Sequence, residues 1–225
     1  MKFDYIIIGA GSAGCVLSNR LSEDQNNKVA VFEAGGPSNI WKVKMPLALL
    51  YTMHDPKYNW KYYSEPEPHL NNRRLFCPRG KMIGGCSAHN GMVFVRGNRN
   101  DYERWENFGL KSWSYEKILP YFKKIENWSG GENQFRGSFG PLPINQSKND
   151  NPLFKAFINA ASEAGHANNP DMNGEYQEGF GMFDTTIHNG ERASTTKYYL
   201  NPAKKRKNLS IFSNSFVEKI IFDGK

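Results

Sequence analysis

A glycine-rich segment near the N-terminus, Gly9-Ala10-Gly11-Ser12-Ala13-Gly14, separates two different hydrophobic patterns. Phe3 to Ile8 is a short run rich in isoleucine, as expected of a buried parallel strand. From Ser12 to Glu23, small and apolar residues recur at helical spacing. A second apolar run, Val29 to Phe32, follows. This order predicts a strand, a helix and a second parallel strand, which is the βαβ unit of an α/β fold.

The same segment matches the pattern G-x-G-x-x-G, which is typical of dinucleotide sites. One glycine permits the tight turn, the next lets the backbone approach a pyrophosphate, and Gly14 allows close packing of helix on strand. The pyrophosphate would then meet the free N–H groups at the helix N-terminus. Glu33 ends the second strand, 22 residues after Gly11, where its carboxylate can accept hydrogen bonds from ribose hydroxyls. The motif predicts a dinucleotide but does not decide between FAD and NAD.

Composition and charge exclude several classes of protein. Apolar residues make up 39% and charged residues 23% of the 225 residues, which is typical of a globular chain. No apolar run approaches the ~20 residues needed to span a bilayer, and the first residues lead into a strand rather than a signal peptide. The net charge is +7, and the densest basic run, Lys204 to Lys207, is interpreted as a solvated helix end. No nucleic-acid module is recognisable, so we expect no nucleic-acid partner.

The cysteines and the remaining patterns give further expectations. Cys15, Cys77 and Cys86 have no metal-ligand spacing, so we expect reduced thiols in a cytoplasmic protein and no metal site. Residues 129–151, rich in Gly, Asn, Ser and Pro, are a candidate crossing between domains. Helices are predicted at Pro46–Met53, Asn100–Phe108, Ser114–Glu126 (with Ser114 as N-cap) and from Asn151 to Gly165; strands or extended segments at Asn59–Glu67, Gly179–His188, Leu209–Phe212 and Phe216–Phe222.

A second glycine-rich segment, PRGKMIGGCSAHNGMVFVRG, runs from Pro78 to Gly97. Its core is a glycine pair followed by a polar patch: Gly84, Gly85, Ser87, His89 and Asn90. Small residues at such a turn would let the backbone approach a flat ring system. From these residues alone an ordinary surface loop stays open as an alternative.

Together, the two glycine-rich segments resemble the glucose–methanol–choline (GMC) family of oxidoreductases. In that family a G-x-G-x-x-G motif with a following glutamate is paired with a P-R-G-K-x-x-G-G segment that lies along FAD. The resemblance covers essentially the whole chain, with further matching stretches at Asp101–Trp105, Leu119–Phe122, Gly140–Leu142, Gly179–Gly181 and Arg192–Thr195. The choline dehydrogenase branch is the most similar, through Trp41–Pro46, Tyr58–Trp60, Asp171–Gly174 and Gln177–Gly181.

The resemblance implies a fold and a set of cofactor contacts. Residues 1–128 and 192–225 would form a Rossmann-like α/β FAD-binding domain of the GMC and glutathione-reductase type, incomplete here, and 129–191 would begin an α+β substrate-binding domain. The residues implied beside the ADP half of FAD are Gly9, Gly11, Ser12, Gly14 and Glu33. Those implied beside the pyrophosphate, ribityl chain or isoalloxazine are Gly84, Gly85, Asn90, Gly91, Met92 and Val93. Val217, in a last strand, would make backbone contacts to the adenine.

Two positions depart from the usual family pattern. Cys86 replaces the serine that normally follows the paired glycines, and His89 replaces an apolar residue before Asn90. Choline oxidase-like members are more similar at both positions, and there the histidine is bonded covalently to the flavin. The resemblance therefore suggests an 8α-linked FAD on His89, with a neutral histidine beside a non-covalent flavin as the alternative.

The implied reaction is the oxidation of an alcohol to an aldehyde, most similar to choline to betaine aldehyde, by hydride transfer to FAD. The electron acceptor would be oxygen or a quinone, and association with the inner face of a membrane is left open. The family's catalytic histidine is expected beyond Lys225, so we expect residues 1–225 to be a truncated chain without activity of its own. Aromatic residues Trp60, Tyr62 and Tyr63 are interpreted as strand packing rather than an ammonium cage.

Three alternatives remain at this point. The first is a GMC alcohol dehydrogenase for other aliphatic or aromatic alcohols. The second is a non-catalytic nucleotide-binding fragment. The third, an NAD-dependent Rossmann enzyme, explains residues 3–33 but leaves residues 78–97 unexplained.

Overall fold

The structure is a computed structural model that describes residues 1–148 and 150–223. The chain forms two compact units, the first made of residues 1–91 and 190–225 and the second of residues 92–189. The helices and strands follow one another as β1 (Tyr5–Ile8), α1 (Ser12–Leu21), β2 (Val29–Phe32), α2 (Trp41–Lys44), α3 (Leu49–His54), β3 (Tyr62–Tyr63), β4 (Phe76–Cys77), β5 (Val93–Phe94), α4 (Arg99–Asn107), α5 (Tyr115–Ile125), β6 (Glu126–Trp128), β7 (Leu142–Gln146), α6 (Pro152–Glu163), β8 (Asp184–Thr185), β9 (Ile187–His188), β10 (Glu191–Arg192), α7 (Asn201–Ala203) and β11 (Leu209–Phe212). Short 3-10 helices lie at Pro46–Ala48, Pro68–Leu70, Gly85–Ala88 and Lys111–Trp113, and a π-helical turn at Thr196–Leu200.

The core of the first unit is a parallel sheet in the order β1-β2-β11. The central strand is β2, whose Val29, Ala30 and Val31 are fully buried. Burial of each valine side chain stabilises the fold by about 1.5–3 kcal/mol. The predicted βαβ unit and the strand at Leu209–Phe212 are therefore confirmed.

Helix α1 packs on this sheet through small residues rather than large ones. Its buried positions include Gly14, Cys15, Ser18 and Asn19, whereas Leu17 is half exposed. Ser18 satisfies its buried hydroxyl by donating to the Gly14 carbonyl at 2.7 Å, as buried polar groups require. Asn19 donates to the carbonyl of Tyr199, in the π-helical turn, at 2.6 Å. Small side chains let the helix approach the sheet closely, which places its N-terminus beside the end of β1.

The second unit contains a four-stranded sheet in the order β5-β8-β7-β6, with β6 and β7 parallel and the other two pairs antiparallel. Helices α4 and α5 pack together through an apolar cluster that includes Tyr102, Tyr115 and Ile118. The side chain of Asn98 caps α4, and that of Asn151 caps α6. The predicted helices at these places are confirmed within one or two residues.

Some local predictions are wrong. Residues 216–222 form no strand, because none of the described residues pairs with them and a strand exists only through such pairing; Gly224 and Lys225 lie outside the described residues. The prediction of Ser114 as the N-cap of α5 is confirmed for its position, although its side chain makes no capping hydrogen bond. Within Gly179–His188 only the two-residue strands β8 and β9 form. The predicted crossing between domains at residues 129–151 stays a prediction: these residues hold β7 and, apart from Asn149, which is not described, they belong to the second compact unit.

The described residues hold neither a membrane-spanning helix nor a cluster of metal-binding side chains. Over residues 1–148 and 150–223, no helix has the length and apolar character needed to cross a bilayer. The same residues bring together no group of three or more His, Cys, Asp or Glu side chains that could hold a metal ion. All three cysteines are free.

Candidate functional site

A cavity of about 420 Å³ lies at the carboxyl ends of β1 and β2 and the N-terminus of α1. This is the edge at which open α/β sheets bind their ligands. Its wall includes six of the residues expected from the sequence: Gly9, Gly11, Ser12, Glu33, Gly85 and Val217. The other lining residues are Ile8, Phe32, Ala34, Trp60, Gly80, Cys86, Ser215 and Phe216. We call this the dinucleotide cavity.

The first glycine motif forms the floor of the dinucleotide cavity. A Cβ atom on Gly14 would lie 1.9 Å from the carbonyl oxygen of Gly9, so only glycine permits this contact of helix and turn. At Gly11, by contrast, a Cβ atom would meet no protein atom within 4 Å. The first N–H groups of α1 have no partner within the helix, and no acidic residue occupies the first turn. This end of the helix can therefore bind an anion such as a pyrophosphate.

The Glu33 carboxylate is buried and held in place by the backbone. Its Oε2 accepts a hydrogen bond from the amide of Ala10 at 2.9 Å, and its Oε1 accepts one from the amide of Gly35 at 2.8 Å. An ionised carboxylate has about four acceptor positions, so two remain for hydroxyl donors in the cavity. The side chain thus fixes the turn after β1 and can also bind a ribose.

The second glycine-rich segment lies directly against the first. The amide of Gly84 donates to the carbonyl of Ala10 at 2.6 Å. A Cβ atom on Gly85, whose φ is +49°, would lie 2.8 Å from the Cα atom of Gly11. The two segments, whose contacting residues are 74 positions apart in the chain, therefore build one wall that any side chain at Gly85 would disrupt.

The last wall comes from residues that sequence reasoning missed or misassigned. Val217 lines the cavity from an extended segment after β11, not from a strand. This segment is held by the amide of Ser215, which donates to the Glu33 carbonyl at 2.8 Å. Trp60 also lines the cavity, and its ring stacks on Tyr62 with centroids 5.9 Å apart. The ammonium of Lys81 lies 4.9 Å from the Trp60 ring centroid, so this face already carries a cation. In the sequence, Trp60 is noted only in the Tyr58–Trp60 stretch and as an expected packing residue beside Tyr62 and Tyr63, and neither feature predicts a position in this cavity.

His89 and Asn90 lie in the same unit but do not line the dinucleotide cavity. The His89 side chain is 3% exposed, and its Nδ1 atom has no hydrogen-bond partner among the described residues. Burial, together with the positive charges of Arg192 and Arg79, lowers the pKa of His89. The imidazole is therefore neutral at pH 7.

Arg192 fixes Asn90 in place. Its Nη1 atom donates to the backbone carbonyl of Asn90 at 2.7 Å and to the Oδ1 atom of Asn90 at 2.9 Å. Gly91 is exposed and ends this part of the first unit. Met92 and Val93 belong to the second unit, where Met92 is buried and Val93 is half exposed on β5.

These observations fit a dinucleotide cofactor. The two glycine-rich segments contact each other through their backbones, and the N-terminus of α1 is open to an anion. The Glu33 carboxylate, held by two backbone amides, still has free acceptor positions. The described residues thus supply what a pyrophosphate and a ribose need.

A family model described as GMC oxidoreductase matches residues 3–225. The chain belongs to this family. It is 50% identical over 224 residues to an oxygen-dependent choline dehydrogenase of Sinorhizobium fredii. The matched region is 100% of this chain and 41% of that protein. It is 48% identical over 225 residues to the protein of the same name in Vibrio vulnificus, of which it covers 40%. The chain thus spans about two fifths of the length of these curated relatives.

Solved structures show the same fold. The pyridoxine 4-oxidase of "Mesorbium loti" superposes with a TM-score of 0.93 at 31% identity, over 99% of this chain and 44% of that one. An FAD-dependent oxidoreductase of Chaetomium thermophilum gives a TM-score of 0.88 at 29% identity, over 100% of this chain and 40% of that one. The expected family and fold class are confirmed.

Proposed function

We propose that this chain supplies the FAD-binding part of an oxidoreductase that oxidises an alcohol to an aldehyde. The observation that carries the proposal is the dinucleotide cavity, where two glycine segments, the α1 N-terminus and Glu33 meet. Membership of the GMC family and the FAD-dependent relative of known structure support FAD rather than NAD.

In this proposal each group of residues, whether or not it lines the dinucleotide cavity, has one task. The N–H groups at the start of α1, with Gly11 and Ser12, bind the pyrophosphate, and Glu33 accepts hydrogen bonds from the adenosine ribose. Gly84, Gly85 and Asn90 to Val93 lie along the rest of the cofactor, and the backbone at Val217 contacts the adenine. FAD held by these residues would supply the hydride acceptor for oxidation of the alcohol carbon. The base that takes the hydroxyl proton stays unassigned within residues 1–225, and we expect it to lie beyond Lys225.

Choline is the proposed substrate. About half of the residues are identical to those of oxygen-dependent choline dehydrogenases over the whole chain. This likeness also supports oxygen as the acceptor, with a quinone as the alternative. The pyridoxine 4-oxidase structure, at 31% identity, favours a second candidate, a GMC oxidoreductase for another alcohol. We further propose a cytoplasmic location and the division into an FAD-binding domain (1–128 and 192–225) and the start of a substrate domain (129–191).

Reduction of the flavin without oxygen separates these candidates. The protein from the reading frame that contains this chain is mixed anaerobically with choline, pyridoxine or a primary aliphatic alcohol, and the flavin absorbance is recorded. Bleaching by choline alone is the expected result. Bleaching by another alcohol alone supports the second candidate, and no bleaching by any alcohol supports the non-catalytic alternative.

We also propose that His89 bonds to the 8α carbon of the flavin. The buried, neutral imidazole supports this, because only an unprotonated nitrogen can form the bond. Formation of this C–N bond would remove one hydrogen from the flavin 8α methyl group and one from the imidazole, with oxygen as the acceptor of the two electrons. Acid precipitation tests this: the flavin should stay in the pellet of the wild-type protein and leave that of His89→Asn. Full release from the wild type contradicts the covalent bond but not FAD binding.

A further inference from the structure

A second cavity in the first unit, of about 240 Å³, shares no lining residue with the dinucleotide cavity. Four basic side chains line it, Lys44, Arg192, Lys197 and Lys204, and one acidic side chain, Glu191. None of the proposed flavin contacts lines this cavity, although Arg192, which does, also holds Asn90 in place. We call it the basic cavity.

Arg192 is a buried cation that lacks a carboxylate partner among the described residues. Its side chain is 2% exposed. Its Nε atom donates to the carbonyl of Val43 at 3.1 Å, and Nη1 donates to the two oxygens of Asn90, so every acceptor is neutral. The Nη2 atom has no acceptor within the described part of the chain. Burial alone lowers the pKa of Arg192 to about 10. A buried charge without a counter-charge is costly.

The single carboxylate of the basic cavity does not balance its cations. Glu191 Oε2 accepts a hydrogen bond from Lys197 Nζ at 2.6 Å, and this bond, followed by the charges of Lys197 and Lys44, lowers the pKa of Glu191. Lys44 and Lys204 form no ion pair with any of the described residues. Four formal positive charges against one negative charge leave an excess of three.

We propose that the basic cavity binds a small anion that carries a phosphate group. The lysine ammonium groups of Lys44 and Lys204 would contact its oxygens, and the buried charge of Arg192 would compensate its negative charge. Hydroxyl and amide donors in the wall, among them those of Ser194 and Asn39, match the several acceptors of a tetrahedral oxyanion. The anion would thus supply the counter-charge that Arg192 lacks among the described residues.

This proposal also refines the interpretation of the basic run. Lys204 lines the cavity, and Arg206 Nη1 donates to Ser22 Oγ at 2.8 Å. Lys204, Lys205 and Lys207 are all exposed, but of these three only Lys204 lines the basic cavity. Adjacent lysines in the same run therefore have different roles, and they offer a matched pair for a test.

The test is calorimetric titration with inorganic phosphate at constant ionic strength, using protein from the reading frame that contains this chain, purified without phosphate. We expect saturable binding at one site, weakened about tenfold by Lys44→Gln and by Lys204→Gln, since a hydrogen bond to a charged group is lost. Lys205→Gln is the control and should bind as the wild type does. No saturable binding, or equal affinities for the wild type and all three variants, overturns the proposal.

Two further measurements identify where the anion binds and which kind of anion it is. The flavin absorbance is followed during the titration, because release of the flavin by phosphate would place the anion in the dinucleotide cavity and contradict the proposal. Glycerol 3-phosphate is titrated in parallel. Tighter binding than that of inorganic phosphate identifies a phosphate ester as the ligand, and weaker binding identifies free phosphate.

Discussion

Gly11 and Gly14 belong to one motif but have different neighbours, and this difference separates packing from cofactor binding. A methyl group on Gly14 would collide with the Gly9 carbonyl, whereas one on Gly11 would point into open space. Gly11 has a φ of −72°, which alanine adopts without strain.

We therefore expect opposite effects on stability and the same effect on the cofactor. Gly14→Ala should lower the free energy of unfolding of the flavin-free protein by about 1–3 kcal/mol through overpacking. Gly11→Ala should leave it unchanged or raise it by about 0.5 kcal/mol. Both variants should lose FAD, the first by distorting the turn and the second by filling the cavity. Urea unfolding and flavin content measure the two effects; a Gly11→Ala protein with full flavin content would contradict this role of Gly11.

The burial of His89 predicts that the stability of the folded protein depends on pH. In the unfolded chain its pKa is about 6.5, and in the folded protein burial and two nearby arginines lower it. Below about pH 6.5 the unfolded state therefore binds a proton that the folded state does not, so stability falls as the pH falls.

From pH 7.5 to 5.5 this histidine should cost the flavin-free protein up to about 1.4 kcal/mol of stability. His89→Asn should show a smaller loss over the same range in urea unfolding. His69→Asn is the control, because the His69 side chain is exposed. An identical pH dependence in the wild type and His89→Asn would show that the buried imidazole does not titrate as described.

At the scale of elements, a buried ion cluster organises the second unit. The Glu126 carboxylate is fully buried and accepts hydrogen bonds from Arg96, from Arg136 at 3.2 Å and from the amide of Gly137 at 2.8 Å. Arg136 also pairs with Asp171 at 2.6 Å and with Asp184 at 2.8 Å. The cluster links β6, β8 and the loops between them.

Glu126→Gln should destabilise the protein by about 3–5 kcal/mol, because it leaves two buried guanidinium groups with too little negative charge. The matched control is Glu116→Gln, whose partner Arg99 is exposed, and this should change stability by less than about 1 kcal/mol. Urea unfolding of both variants tests the contrast. Equal losses would mean that the cluster contributes no more than a surface pair.

The elements differ in how far the sequence predicts them. The βαβ unit is predictable because its glycines, apolar runs and Glu33 all lie within residues 3–33 and agree with one another. The ion cluster is not, because Arg96, Glu126 and Arg136 are distant in sequence and single charges carry no pattern. The prediction of a strand at 216–222 is wrong for a related reason. An apolar run shows that a segment tends to pair in a sheet, but it does not show whether a partner strand is present.

At the scale of the whole molecule, the sheet of the first unit has an apolar surface at one edge. Ile6 and Ile8 on β1 are 62% and 51% exposed, although Ile7 between them is buried. Exposed apolar surface beside unpaired strand groups favours association. We expect residues 1–225, expressed alone, to bind a hydrophobic dye and to self-associate.

Replacing Ile6 and Ile8 together with threonine should reduce both the dye fluorescence and the mass found by light scattering. Phe139→Thr, at a more exposed single side chain in the second unit, is the control and should change neither. A polypeptide that is monomeric and binds no dye would contradict the account of this edge.

The wall of the dinucleotide cavity also shows the limit of sequence reasoning at this scale. Gly9, Gly11 and Glu33 are predictable from one motif, whereas Trp60 and Phe216 reach the cavity from segments that carry no dinucleotide pattern. Their position follows from how the chain returns to the end of β2, which is a property of the complete first unit.

The central claim is that the dinucleotide cavity holds FAD. The most direct test is a titration of the folded, flavin-free protein with FAD and, separately, with NAD, following flavin fluorescence and heat of binding. Our account predicts one FAD per chain, quenched on binding, with no binding of NAD. A folded protein that binds NAD instead, or neither dinucleotide, would contradict it.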